Sequence, residues 1–312
     1  MVLAGPTAVG KTALAIEICQ RFQAEVINAD SVQIYRGLDI GSAKPTPAER
    51  AAAAHHLVDV AGPNESFDAA RFAEVAEQAI SDIRSRKKRV LVAGGTGLYI
   101  RALLFGLAPL PPVDEDLRAR LREEWERLGA PAMHERLAKL DPQSGERLHP
   151  NDRQRVLRAL EVCLQTGEPF SAQQKQHGFS EPRHPYFMVG LSRPKPELDQ
   201  RIARRCRAMW EKGLVDEVRG LLAQGVPPEA KSLGSLGYAQ ALRFLQGELS
   251  QEEAMADMIA KTKAYAKRQL TWFRGMEGIN WQSPEDHAAV FDIAERHWGL
   301  KAHTNAPGEQ GE

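Results

Sequence analysis

Gly5-Pro6-Thr7-Ala8-Val9-Gly10-Lys11-Thr12 fits the phosphate-loop pattern GxxxxGK[ST] at every fixed position. Its glycines let backbone N–H groups close around phosphate oxygens, Lys11 adds a point charge, and Thr12 offers a hydroxyl to Mg²⁺. The flanks supply the context the loop needs. Val2-Leu3-Ala4 is apolar, and Leu14, Ala15, Ile18, Cys19 and Phe22 recur at helical spacing between Lys11 and Phe22. The N-terminus of that helix points at the anion. A glycine-rich turn with a chance Lys-Thr is the bland alternative, and the strand–loop–helix setting counts against it. The loop predicts a diphosphate or a triphosphate and is silent on which molecule carries it. Only four residues precede Gly5, whereas a buried strand usually has about five or six, so either the first strand is short or the start lies upstream.

Working outward, strand and helix patterns alternate over the first 110 residues. Glu25–Ala29 reads as a second strand ending at Asp30, His56–Val60 as a third, and Arg89–Ala93 as a fourth that runs into Gly94-Gly95-Thr96-Gly97-Leu98-Tyr99. A helix with Phe72, Val75, Ala76, Ala79, Ile80 and Ile83 on one face starts near Ser66, the predicted N-cap. Such alternation predicts an α/β fold, a parallel sheet flanked by helices, with ligands at the carboxyl ends of its strands. Gly10, Asp30 and Thr96 all lie at such ends and are expected in one site.

The pattern changes at Leu110-Pro111-Pro112. Helical spacing covers Asp114–Leu128, Pro131–Leu140 and Asn151–Thr166 with no strand candidate, which predicts an all-helical insertion over 111–185 within a core of 1–110 plus 186–300. Tyr186–Leu191 returns to strand character, amphipathic helices follow over Pro196–Leu222 and Ala254–Phe273, and the polar tail 301–312 is expected to be disordered.

Of the 312 residues, 43% are hydrophobic and 26% charged, the composition of a soluble globular protein. Lys+Arg and Asp+Glu both number 41, so global charge makes no case for nucleic acid. Local charge does. Lys261, Lys263, Lys267, Arg268 and Arg274 face no acidic residue in their stretch, and Arg147–Arg219 carries 14 basic against 9 acidic residues. A helix face this basic attracts phosphate, although a solvated face is the ordinary alternative. Cys19, Cys163 and Cys206 form no CxxC pair and sit in apolar-periodic stretches, as buried reduced thiols of a cytoplasmic protein would. No apolar run reaches the roughly 18 residues of a membrane span, and nothing demands more than a monomer.

Asp30 has three readings: a carboxylate holding Mg²⁺ through water, a general base, or a side chain capping the turn that begins with Ser31. No other strand ends in the acidic pair of an ATP hydrolase, and Asp59 follows a strand that looks peripheral. The pair His55-His56 lacks helical i,i+4 metal spacing and reads as surface or loop packing.

Seven motifs in order then resemble one family over nearly the whole chain. They are Gly5–Thr12, Asp30-Ser31-Val32-Gln33-Ile34-Tyr35, Gly41–Thr46, His55–Asp59, Gly94–Tyr99, His149–Val162 and Lys267-Arg268-Gln269-Leu270-Thr271-Trp272-Phe273. Their order and spacing are similar to those of bacterial tRNA dimethylallyltransferases, also called tRNA isopentenyltransferases. The resemblance implies a P-loop NTPase-like core that moves a dimethylallyl group from dimethylallyl diphosphate to N6 of adenosine 37 in tRNA and releases diphosphate. The donor diphosphate then rests on Gly5, Thr7, Ala8, Gly10, Lys11 and Thr12, with Arg193 and Arg201 near its phosphates and Mg²⁺ on Thr12. Asp30 matches the family's proton acceptor and Thr96 its contact to the target adenosine. The tRNA contacts implied are Asp30, Ser31, Val32, Gln33, Thr96, Arg118, Gln154, Arg155, Arg158, Gly237, Tyr238, Lys267 and Arg268, with the insertion on the anticodon stem-loop. Arg155 and Arg158 (i,i+3) would share one helix face suited to phosphates.

The chain departs from the family pattern at Ala239, where a basic residue usually follows the tyrosine and where nearby Lys231 is the available substitute. Ser42 stands for the usual threonine and keeps the hydroxyl. The rival readings are a small-molecule kinase with ATP in the loop, and prenyl transfer to free AMP, ADP or ATP. A nucleotide-sized acceptor would not need a helical insertion with a basic helix. A GTPase-like RNA-binding module finds no Asn-Lys-x-Asp motif to support it.

Overall fold

The backbone runs from β1 (Val2–Ala4) through the glycine-rich loop into α1 (Lys11–Phe22), β2 (Ala24–Ala29), α2 (Pro47–Ala52), β3 (His55–His56), α3 (Ala69–Ser85), β4 (Arg89–Gly94) and α4 (Gly97–Phe105). Among the described residues four helices follow without a strand: α5 (Glu115–Leu140), α6 (Pro142–Arg147), α7 (Arg153–Thr166) and α8 (Phe170–His177). The chain returns through β5 (Met188–Leu191), α9 (Lys195–Glu211), α10 (Leu214–Ala223), α11 (Tyr238–Leu245), α12 (Gln251–Arg274), β6 (Ile279–Gln282) and α13 (His287–His297). These elements come from a computed structural model describing residues 1–108, 110–177 and 181–299. The expected disordered tail, 301–312, lies outside the described residues.

All six strands are parallel, in the order β3-β2-β4-β1-β5-β6. Burial explains the strand sequences. Leu3, Val26, Leu91, Ala93, Val189 and Leu191 join one apolar cluster with Leu14, Ile18 and Phe22 of α1 and Val290 and Ile293 of α13. The intervening positions Val2, Ile27 and Val92 are buried as well. Residues alternate between the faces of a strand, so the sheet is covered on both sides, and α3 packs on β2 and β4. The register pairs Gly94 with both Ala4 and Ala29, and Ala4 with Gly190. The chain therefore leaves β1, β2, β4 and β5 side by side at one edge, where an α/β sheet binds ligands.

Packing divides the chain into two units, Met1–Leu104 with the chain from His184 onward, and Phe105–Arg183. The division falls a few residues before the boundaries read from the sequence, because the chain leaves the sheet unit at the end of α4, ahead of Pro111-Pro112. The helical unit has its own core of Leu121, Trp125, Met133, Leu137, Val156, Leu160 and Phe170.

Several elements differ from their sequence expectations. The strand expected over His56–Val60 stops at His56, because Leu57 and Asp59 both adopt φ of +61°, outside strand geometry. Asp59 instead accepts hydrogen bonds from Lys44 and Arg50. Asp68, not Ser66, caps α3 by accepting from the Ala70 and Arg71 N–H groups. Gly213, at φ +98°, divides Pro196–Leu222 into α9 and α10. Gly129, at φ +79°, kinks α5 between its two expected halves. The edge strand β6 has too short and mixed a pattern (Ile279-Asn280-Trp281-Gln282) to be read without its neighbour β5.

Candidate active site

The glycine-rich loop turns from β1 into α1 with Gly10 at φ +116° as the residue before the helix. A conformation in this region strains any residue with a Cβ. Two arginines hold the crest of the loop from outside. Arg201 Nε donates to the Ala8 carbonyl (2.9 Å) and Arg193 Nε to the Val9 carbonyl (2.8 Å). Both engage carbonyl oxygens, which fixes the crest of the loop. Arg193 is also paired with Glu197 and Glu285. Lys11 Nζ is folded back, donating to the carbonyls of Gly5 and Pro6 at 2.8 Å each. Burial lowers the Lys11 pKa to about 7, the Asp30 carboxylate opposing the shift and the Arg205 guanidinium adding to it. Thr12 is exposed in the first turn of α1.

Asp30 leaves β2 beside this loop. Its Oδ1 accepts from the N–H groups of Val32 (2.9 Å) and Gln33 (3.3 Å), so the turn-capping reading is correct for one oxygen. Among the described residues its second oxygen makes no hydrogen bond, which leaves it for a proton or a metal-bound water. Thr96 leaves β4 with its N–H on the Ala29 carbonyl (3.1 Å), and its Oγ1 accepts from the Ser31 N–H (3.0 Å). The Gln33 side chain turns away to donate to the Ser42 and Ala43 carbonyls. Hydrogen bonds that cross between strand ends thus join the β2 exit at Ala29 and Ser31 to Thr96, while Gly10 stands at the end of the loop that leaves β1.

Helix α12 closes the site from above. Gln269 accepts from the Thr7 N–H (2.9 Å) and donates to the Gly95 carbonyl (2.8 Å), tying the phosphate loop to the β4 exit. A Cβ on Gly97 would lie 2.2 Å from the Trp272 indole, so only glycine admits this helix so close. Tyr265 lies against Thr96 and Gln269, and burial raises its hydroxyl to about 12. Lys267 and Arg268 are exposed, with the Arg268 guanidinium over the Tyr265 ring at 5.8 Å.

Sequence reasoning missed Arg205. It lies one helical turn after Arg201 on α9, near Lys11 and Asp30, and burial lowers its pKa. Its Nη2 reaches the Ser42 carbonyl only at 3.4 Å. The i,i+4 spacing from Arg201 was the available signal. Gly237 and Tyr238 require a correction. Both are buried, Tyr238 completely, and its hydroxyl donates to Glu217. Glu217 in turn accepts from the N–H groups of Asp39, Ile40 and Gly41. These residues shape the 39–41 loop and offer no surface to RNA in this form.

The helical unit carries a separate cleft of about 470 Å³ lined by Arg118, Arg122, Arg153, Gln154 and Arg158, with Glu161 at its base. Arg155 does not line the cleft with Arg158. Its side chain is 64% exposed and paired with Asp152, whereas Arg158 is 27% exposed and lines the cleft.

The profile of the IPP transferase family matches residues 33–276. The tRNA dimethylallyltransferase of Syntrophobacter fumaroxidans is 47% identical over 302 residues, covering 97% of this chain and 85% of that protein. The tRNA dimethylallyltransferase of Geobacter sulfurreducens is 43% identical over 300 residues, covering 96% of each. Among solved structures, tRNA delta(2)-isopentenylpyrophosphate transferase from Staphylococcus epidermidis superposes with a TM-score of 0.69 at 36% identity, covering 96% of this chain and 98% of that one. A eukaryotic dimethylallyltransferase acting on tRNA superposes with a TM-score of 0.76 at 27% identity, covering 96% and 78%. A family profile over residues 33–276, with similarity to relatives and solved structures over 96–97% of the chain, shows that the chain belongs to the IPP transferase family and is an enzyme of the tRNA dimethylallyltransferase type.

Proposed function

We propose that the chain takes its prenyl group from dimethylallyl diphosphate and delivers it to N6 of adenosine 37 in tRNA, releasing diphosphate. The observation that carries this reading is the convergence of Lys11, Arg205 and Asp30 at the carboxyl edge of the sheet, two half-buried basic side chains beside one carboxylate whose second oxygen makes no hydrogen bond among the described residues. The two cations suit a leaving diphosphate. As the C–O bond breaks, its electron pair goes to the diphosphate, and positive groups fixed beside it lower the energy of that charge. The N6 lone pair forms the new C–N bond, and its proton passes to the Asp30 oxygen that is not committed to the turn. Because the amine becomes acidic only as that bond forms, Asp30 acts late.

The Thr12 hydroxyl, exposed at the N-terminus of α1, would hold a Mg²⁺. That ion would supply further charge neutralisation on the diphosphate. Arg193 and Arg201 hold the loop crest by its carbonyls and so orient it for the donor.

An adenine in a stacked anticodon loop must be extruded before its amine reaches Asp30, at a cost of a few kcal/mol. The basic cleft of the helical unit and the exposed Lys267 and Arg268 are the surfaces proposed to recover that cost by gripping the anticodon stem-loop. Gln154 and Arg158 in the cleft, and the exposed Arg155 beside them on α7, are the proposed contacts. The test is incubation with labelled dimethylallyl diphosphate and, in parallel, unmodified tRNA, AMP and ATP. Label in tRNA alone is expected. Label in the free nucleotides, or ATP consumption without the donor, would overturn the proposal.

A further inference from the structure

We infer that Glu161 is a positioning residue for tRNA binding, a buried carboxylate that sets the guanidinium groups of Arg118 and Arg158 side by side as one RNA-phosphate-binding fork. The inference rests on the reading that the helical unit grips tRNA, and goes beyond it by naming what organises the grip.

The Glu161 side chain is 2% exposed and sits on α7 at the seam with α5. Arg158, one turn earlier on α7, donates from Nη1 to Oε1 at 2.7 Å. Arg118, from α5, donates to Oε2 from Nη2 at 3.2 Å and from Nε at 3.4 Å. The two arginines come from different helices, and each is 27% exposed. Both line the cleft with Arg122 and Arg153. Arg158 Nη2 is fixed again on the Pro111 carbonyl at 3.1 Å. A guanidinium has five N–H donors, so each keeps donors for a ligand after these bonds are made.

An apolar residue would fill this seam at lower cost, because its neighbours Leu121, Val156 and Leu160 are all buried and apolar, and a buried ion pair often stabilises less than well-packed hydrocarbon. Glu161 is therefore poorly explained as a device for stability. What it does is restrict two long side chains before a ligand arrives, so that binding does not have to order them.

Charge and geometry predict opposite results on removing the carboxylate. Glu161→Gln makes the cleft more positive, which by charge alone strengthens RNA binding. A glutamine amide also presents a donor to a guanidinium, which releases one arm of the fork. Binding of an anticodon stem-loop RNA would be measured by fluorescence anisotropy across a salt series, alongside steady-state kinetics. We expect Kd for Glu161→Gln to weaken by about tenfold, with a flatter salt dependence. KM for tRNA should rise in step, with kcat within about twofold and KM for the donor unchanged. Wild-type or tighter RNA binding would overturn the inference. The double variant Arg118→Ala/Arg158→Ala separates the two claims. If it binds RNA normally, the helical unit does not grip tRNA through this cleft; if it loses affinity while Glu161→Gln does not, only the positioning role fails. Circular dichroism checks the fold. Should Glu161→Gln not fold, Glu161→Asp decides, since its carboxylate is too short to span both guanidinium groups, and wild-type RNA affinity in that variant would overturn the inference.

Discussion

Donor binding should draw a proton from solution, and Lys11 is where it goes. In the loop without donor this amine donates to the carbonyls of Gly5 and Pro6, and burial lowers its pKa from 10.5 to about 7. Charging it there costs on the order of 5 kcal/mol relative to water. A diphosphate next to Nζ reverses the balance, since an adjacent anion favours the ammonium. At pH 8 a group with pKa near 7 is only about one-tenth protonated, so binding should take up about 0.9 proton per site; at pH 6 it should take up about 0.1. The sign for donor affinity follows. Binding is strongest below pH 7, where Lys11 is already charged, and weakens by about tenfold per pH unit above 7 until the pKa of the bound state is reached. The same depressed pKa penalises the folded state below pH 7, and that penalty is relieved as pH rises from 7 toward 10.5. Titration calorimetry of dimethylallyl diphosphate into the protein with Mg²⁺, in buffers of different ionisation enthalpy, measures the uptake. The terminal phosphate of the donor has a pKa of about 6 and contributes little at pH 8. Lys11→Arg, which stays charged, is the reference and should abolish the uptake. Equal proton uptake by wild type and Lys11→Arg at pH 8 would refute the reasoning.

Asp30→Ala should lower turnover by at least about 10² while leaving donor and tRNA affinity nearly intact; a loss of tRNA affinity as large as the loss of rate would show that Asp30 binds the acceptor instead of taking its proton. Arg155→Ala with Arg158→Ala should weaken tRNA binding and reduce its salt dependence, and an unchanged salt slope would mean that these side chains touch no phosphate. Gln269→Leu strands the Thr7 N–H and the Gly95 carbonyl, so it should destabilise the protein by about 2–4 kcal/mol and raise the donor KM more than the tRNA KM. Urea melts with wild-type stability would mean that water replaces both bonds.

Most of the fold was legible because its signals are local. The spacing Leu14-Ala15-Ile18-Cys19-Phe22 needs only a 3.6-residue period to be read as a helix, and Val90-Leu91-Val92 reads as a buried strand by composition. Caps and breaks were less legible. Asp68 and Ser66 are both good N-caps, and the choice depends on where Phe72 must meet Tyr99, a stacked pair at 4.4 Å. β6 becomes a strand through its pairing with β5 rather than through its own four residues. In the site, the phosphate loop, Asp30 and Thr96 could be assembled from strand ends alone, because a parallel sheet brings every carboxyl end to one edge.

The order of residues along the chain was sufficient to place a phosphate loop at the head of a parallel sheet, to separate a helical unit from it and to identify the enzyme family, since each of those conclusions rests on neighbours a few positions apart. It could not show that Tyr238 is buried against Glu217, that Arg205 stands beside Lys11 and Asp30, or that Gln269 holds Thr7 across 262 positions of sequence. Burial, proton affinity and hydrogen-bond partnership are properties of the space around a side chain, and that space is filled by segments distant in the chain. The same lysine is an ordinary surface cation by its letter and, by its surroundings, an amine whose pKa burial lowers to about 7.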